Sequence, residues 1–197
     1  DGSCAAAMRA ALAAGDADGA SAIAFRLGCP DAALRPRLWR ELLAWLPARG
    51  SATESTCENE EDLRERRTAY LELRRRMEGP AADGADKGAV SDELRAQVET
   101  ESKAAWQGEA FFQRPGVVDA VVAITLTYTW RCSLFVPGSC EVAALLLFVM
   151  AGDAKVPLAD AEADAFWCLS QLMAEAQDLI VEESAKERQV RRGHELL

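Results

Sequence analysis

Along the chain, apolar residues recur at helical spacing in five places. Between Leu34 and Pro47 they fall at 38, 39, 42, 43, 45 and 46, which gives a helix a broad apolar face. Pro36 suits the first turn of that helix and Pro47 closes it. Leu63, Tyr70, Leu71 and Met77 mark a second helix over 63–77, whose other positions are mostly Arg and Glu. Ser91 is placed to cap a third helix through about Ser102, with Leu94 and Val98 one turn apart. Val117–Tyr128 is rich in β-branched residues, which favour strands. Yet Val117, Val121, Ile124 and Tyr128 share one helical face, and no second strand-like run exists to pair with them. Helix is therefore expected. The clearest pattern runs over 160–189, where Phe166, Leu169, Met173, Ala176 and Ile180 step by three and four. The polar stretches 51–62 and 78–89 read as loops, and Gly28–Asp31 as a turn. Residues 1–24 are alanine, glycine and aspartate with little period. The expected organisation is a flexible or loosely helical lead over 1–27 and an all-α domain over 28–197.

Composition narrows the chemistry. The 197 residues hold 32 acids against 22 bases, a formal charge of −10. That argues against nucleic acid as the main partner, because phosphate binding needs a basic face. The single histidine, His194, stands near the end, so histidine-based catalysis and most zinc sites are not expected. Cys4, Cys29, Cys57, Cys132, Cys140 and Cys168 contain no C-x-x-C pair. They read as idle thiols in a reducing, intracellular compartment, with no metal and no cofactor. The apolar stretches 117–129 and 142–151 are too short to span a bilayer and read as buried core. Asp1-Gly2-Ser3 suggests a fragment or processed form, cytoplasmic, or organellar if the N-terminus is a processed transit peptide.

Two charged groups invite structural readings. Arg64, Arg66, Arg67, Arg74, Arg75 and Arg76 read as a solvated helix face. Asp160, Glu162 and Asp164 lie at i, i+2 and i+4, so they do not all share one face, and read as an acidic first turn favoured by the helix dipole. The chain carries no phosphate-binding G-x-x-x-x-G-K-[ST] loop.

Leu34-Arg35-Pro36-Arg37-Leu38-Trp39, followed by Leu42-Leu43-Ala44-Trp45-Leu46-Pro47, resembles the opening helix of TBC domains, the Rab GTPase-activating domains. Tyr70-Leu71 resembles the family's second helix. Asp164-Ala165-Phe166-Trp167-Cys168 with Leu172-Met173 resembles its "DAFWCF…LM" helix. Val136, Gly138, Glu141 and the run 145–150 resemble its "YVQGM" segment and the apolar helix after it. The resemblance covers about residues 28–183, is nearest to the group of TBC family member 13, and implies an irregular multi-helix domain truncated on its C-terminal side.

The same resemblance implies lost chemistry. The family uses an arginine against phosphoryl charge and a glutamine that holds the attacking water; an arginine supplied in trans is worth about 10³–10⁵ in rate. Counting back from Phe111-Phe112, its arginine motif falls on Val98-x-x-Glu101-x-x-Ala104, so the arginine position is Ala104. In the other motif the tyrosine position is Phe135 and the glutamine position is Pro137. The implied function is a catalytically degraded domain that binds protein or builds an assembly, with a Rab-type small GTPase or neighbouring subunits as partner. Glu101, Phe135, Gly138 and Glu141 are its candidate binding residues. Two alternatives stand beside it: an active GTPase activator whose non-standard fingers come from elsewhere in the chain, with Lys103, Arg114 and Arg131 the nearby cations, or from missing sequence; and an unrelated all-helical structural subunit. In each case Trp39, Leu42, Leu43, Phe166, Trp167 and Met173 are expected in one core.

Overall fold

The computed structural model describes residues 2–43, 60–79, 90–152 and 155–194, with side chains as far as residue 176. Among the described residues it is all-helical: α1 (Gly2–Ala14), α2 (Ala17–Leu27), α3 (Arg35–Leu42), α4 (Glu60–Glu78), α5 (Asp92–Ala104), α6 (Val117–Cys132), α7 (Ser139–Met150) and α8 (Leu158–His194). Short 3-10 turns occupy Ala32–Leu34 and Ala110–Gln113. No helix among the described residues is long and apolar enough to cross a membrane.

The β-branched stretch becomes α6, because tertiary burial overrides local propensity. From Ala123 to Thr129 every residue is buried, so over this stretch α6 is a central helix without a solvent face. It packs with α7 and the first half of α8; α4 lies against α6 and α8, and α5 against α6 and α7. The main core includes Tyr70, Val121, Ile124, Leu146, Leu147, Phe166 and Leu169. Ser91 caps α5 as expected, its side chain accepting from the Leu94 amide at 3.2 Å.

Trp39, Trp167 and Met173 are half-buried against this core, and Leu43 and Phe166 lie inside it. Leu42 is not part of it and stays 39 % exposed. It stands one turn beyond Leu38, whose side chain packs on α1 and α2, and α3 ends there. Trp45, Leu46 and Pro47 lie outside the described residues, as do Cys57 and the side chain of Ile180. The stretch 2–27, expected as a flexible or loosely helical lead, forms a helical hairpin whose Met8, Leu12 and Ala20 bury against Leu38. Asp16 caps α2, and Arg37 reaches the Leu12 carbonyl at the end of α1 (2.6 Å), satisfying an acceptor the helix leaves open.

The two charged groups of the sequence turn out to be one structure. Residues 161–166 of α8 are buried without a break, so the acids there have no solvated side. Arg67 grips Asp164 with two nitrogens (3.0 and 2.8 Å) and Asp160 with a third (2.8 Å). Arg40 of α3 adds a bond to Asp164 at 3.1 Å. Arg74 pairs with Glu162 at 2.6 Å, and Tyr70 donates to the same carboxylate oxygen. The reading of a solvated arginine face therefore holds for Arg64, Arg75 and Arg76 but fails for Arg67 and Arg74. These two stand one turn either side of Tyr70, on the side of α4 that meets α8. The acidic-turn reading fails likewise: only Asp160 lies in the first turn, and Glu162 and Asp164 are buried. Burial pushes the Glu162 carboxyl up, against Tyr70 and Arg74, which hold it down.

A buried carboxylate held by two guanidiniums is costly to remove, because both cations then lose a buried, hydrogen-bonded counter-charge. Asp164→Ala should cost about 3–5 kcal/mol in urea unfolding, whereas Asp160→Ala, half-exposed, should cost no more than about 1 kcal/mol.

A second expectation concerns both tyrosines. Burial, followed by the Glu162 charge, pushes Tyr70 far up; burial, followed by Cys132, pushes Tyr128 up to about 12. A phenol whose pKa rises on folding contributes stability that is whole below about pH 10 and lost as pH climbs through the folded value. Tyrosinate absorbance should stay flat in the native protein through about pH 10.5 and then rise together with unfolding. Ionisation of either phenol near its ordinary value of about 10 in folded protein would contradict the burial described.

Candidate functional site

Two Pro-Gly turns launch the central helices and shape the surface where the resemblance places its chemistry. Val117 N donates to Arg114 O (3.3 Å) and Ser139 N to Val136 O (3.0 Å). Gly116 and Gly138 hold φ of 81° and 83° with ψ near zero. These are type II turns, with Pro115 and Pro137 at the second position and glycine at the third, where a side chain would be strained. Gly138 is thus explained by its backbone, and a Cβ there would meet nothing within 4 Å.

The end of α5 and the start of α7 meet. Cys140 Sγ lies 4.0 Å from Val98 O, and Trp106 Nε1 donates to Glu141 O at 3.4 Å. The segments carrying Ala104 and Pro137 are therefore neighbours, both exposed. Glu101 is half-buried, accepts from Gln97 (2.9 Å), and adds to burial in pushing the Cys140 thiol up. Phe135 is half-buried and packs with Met77, Val98 and Leu126. Glu141 is exposed in the first turn of α7, where the helix dipole favours it.

The three cations that could replace a missing arginine are dispersed. Lys103 is exposed and lines a groove of about 290 Å³ with Arg74, Arg95, Glu99 and Asp119. Arg114 lies over the Phe111 ring (5.4 Å) and Arg131 over Trp167 (5.2 Å). Trp167 also donates to Arg66 O (2.9 Å), which makes it an anchor between α8 and α4. Of the described cysteines, Cys140 and Cys168 are buried, and burial pushes both thiols up. Among the described residues, no group of three or more His, Cys, Asp or Glu could hold a metal ion.

Sequence reasoning missed three exposed apolar residues of this surface. Trp106, Leu145 and Phe148 are 47, 40 and 39 % exposed. Leu145 and Phe148 belong to the run read as wholly buried; the finding corrects that reading, since only part of the α7 circumference meets other helices. The signal for Trp106 was its place in the polar stretch Trp106–Glu109. Comparison with known proteins adds no relative: no family model, no curated protein and no solved structure matches the chain.

Gly138→Ala should cost about 1 kcal/mol or more, because alanine resists the positive φ. Thermal unfolding checks it; an unchanged midpoint would mean that the turn before α7 does not need glycine.

Proposed function

We propose that the chain is a TBC-like helical module that has lost catalysis and works by binding protein. The observation that supports this reading is that α5 and the start of α7 meet, beside the positions of Ala104 and Pro137. The elements carrying the two positions meet, as a two-residue mechanism would need, and neither residue can act. A methyl group offers no charge to a developing phosphate, and proline offers neither an amide side chain nor a backbone N–H. Pro137 serves instead as the second residue of the turn before α7. The scaffold motifs, by contrast, keep structural work: Asp164 binds Arg40 and Arg67, and Phe166 fills the core. A Rab-type small GTPase or a neighbouring subunit of an assembly is the partner this reading names.

Single-turnover phosphate release from GTP-loaded Rab proteins tests it. The chain should leave every rate unchanged. Stimulation on the order of 100-fold or more would overturn the loss of catalysis and make Lys103, Arg114 and Arg131 the first residues to mutate. Ala104→Arg alone should restore nothing, because Pro137 still leaves the water unplaced.

A further inference from the structure

Beside the α5–α7 junction, Trp106, Glu109, Phe112, Leu145 and Phe148 line an open apolar groove of about 210 Å³. Small-molecule pockets typically span about 300–1,000 Å³, so this one suits a side chain or two of a protein partner better than a metabolite. Its floor is rigid. Phe111 packs edge-on against both Phe112 (5.0 Å) and Phe148 (5.3 Å).

Trp106 is unusual in two ways. Its φ of 55° lies in the left-handed region, costly for a bulky side chain. Its indole is nonetheless half in solvent, tethered by one hydrogen bond to Glu141 O. Backbone strain that leaves a tryptophan exposed gains nothing for the core.

The rim has a sign. Glu109 lines the groove, and Glu141 stands one turn before Leu145 on the same face of α7. Neither carboxylate has a hydrogen-bond or ion-pair partner among the described residues. The nearby cation, Arg114, lies over Phe111. The whole chain carries −10.

We infer that this groove docks a basic amphipathic helix of a partner protein, one or two apolar side chains entering between Trp106 and Phe148 while Lys or Arg beside them meets Glu109 and Glu141. The inference rests on the protein-binding reading above and names the chemistry of its partner. Buried aromatic anchors supply most of the energy of such contacts, and rim charges supply selection and rate.

The probe is a fluorescein-labelled helical peptide with Leu and Phe one turn apart, Lys on the flanking positions and Ala elsewhere. One control replaces each Lys by Glu; another replaces Leu and Phe by Ser. By fluorescence anisotropy at low salt, the basic apolar peptide should bind at least about tenfold more tightly than either control, with the margin over the acidic one shrinking as salt rises. Phe148→Ser with Leu145→Ser should weaken it about tenfold or more, and Glu109→Lys should erase the charge preference. All three positions are exposed, and native helicity by circular dichroism confirms that each variant is folded; Trp106→Phe provides an independent second variant.

Equal binding of the basic and acidic peptides, or binding indifferent to the Leu145 and Phe148 substitutions, would overturn the inference. So would a concentration-dependent dimer abolished by those substitutions, since the occupant would then be a second copy. A GTP-loaded Rab that binds wild type and the Leu145/Phe148 variant alike would also overturn this groove while leaving the protein-binding reading standing. Rab stimulation would do the reverse.

Discussion

The buried carboxylate of Asp164 is the constraint on which the arrangement of helices depends. It sits 1 % exposed within 161–166, the stretch of α8 that is buried without a break, so its charge must be met from within the protein. Arg40 comes from α3 and Arg67 from α4, which places both helices against α8 at a set height and rotation. Arg74 and Tyr70 repeat the device on Glu162 one turn further along α4. Apolar packing alone tolerates sliding between helices. A bidentate guanidinium does not, because its two bonds need one geometry. The register of α4 on α8 then fixes the pocket into which Phe166 packs, 4.9 Å from the Tyr70 ring.

Much of the fold was legible because helical period is a local signal. The α6 sequence favours strand residue by residue, yet its apolar positions recur at helical spacing and it has no strand partner, and it folds as a helix. Other features were not legible for a common reason: they join residues far apart in the chain. An arginine run reads as solvated until α8, some ninety residues later, presents carboxylates to it. Leu145 and Phe148 look like core in an apolar run, because sequence does not show which side of α7 remains uncovered. Leu42 shares a face with Leu38 in the sequence, but the α1–α2 hairpin reaches only Leu38.

The candidate site was legible in part. Counting from Phe111-Phe112 and from Gly138 put Ala104 and Pro137 on two segments that the structure brings together. Their proximity could not be read from either motif, since α6 lies between them in sequence. It follows from packing: α5 lies across α6 and α7, and Cys140 reaches the Val98 carbonyl. Phe135 and Gly138, read as binding residues, also have structural roles, one in packing against Val98 and the other in a left-handed turn.

These explanations bear on what the surface can do. A Pro-Gly pair before α7 gives a firm type II turn, and on the proposed reading the same proline stands where the family's water-positioning amide would be. The turn holds the start of α7 against the end of α5, so Glu141 O receives the Trp106 indole. That contact helps hold an aromatic side chain outside the core, beside Leu145 and Phe148 and under two carboxylates. A surface with a rigid aromatic floor and unpaired acids is poorly suited to stabilising a phosphoryl group, whose own charge is negative. It is well suited to an apolar side chain with a cation beside it. On the proposed reading, Ala104 and Pro137 leave this face without phosphate chemistry and the same turn supports its binding surface.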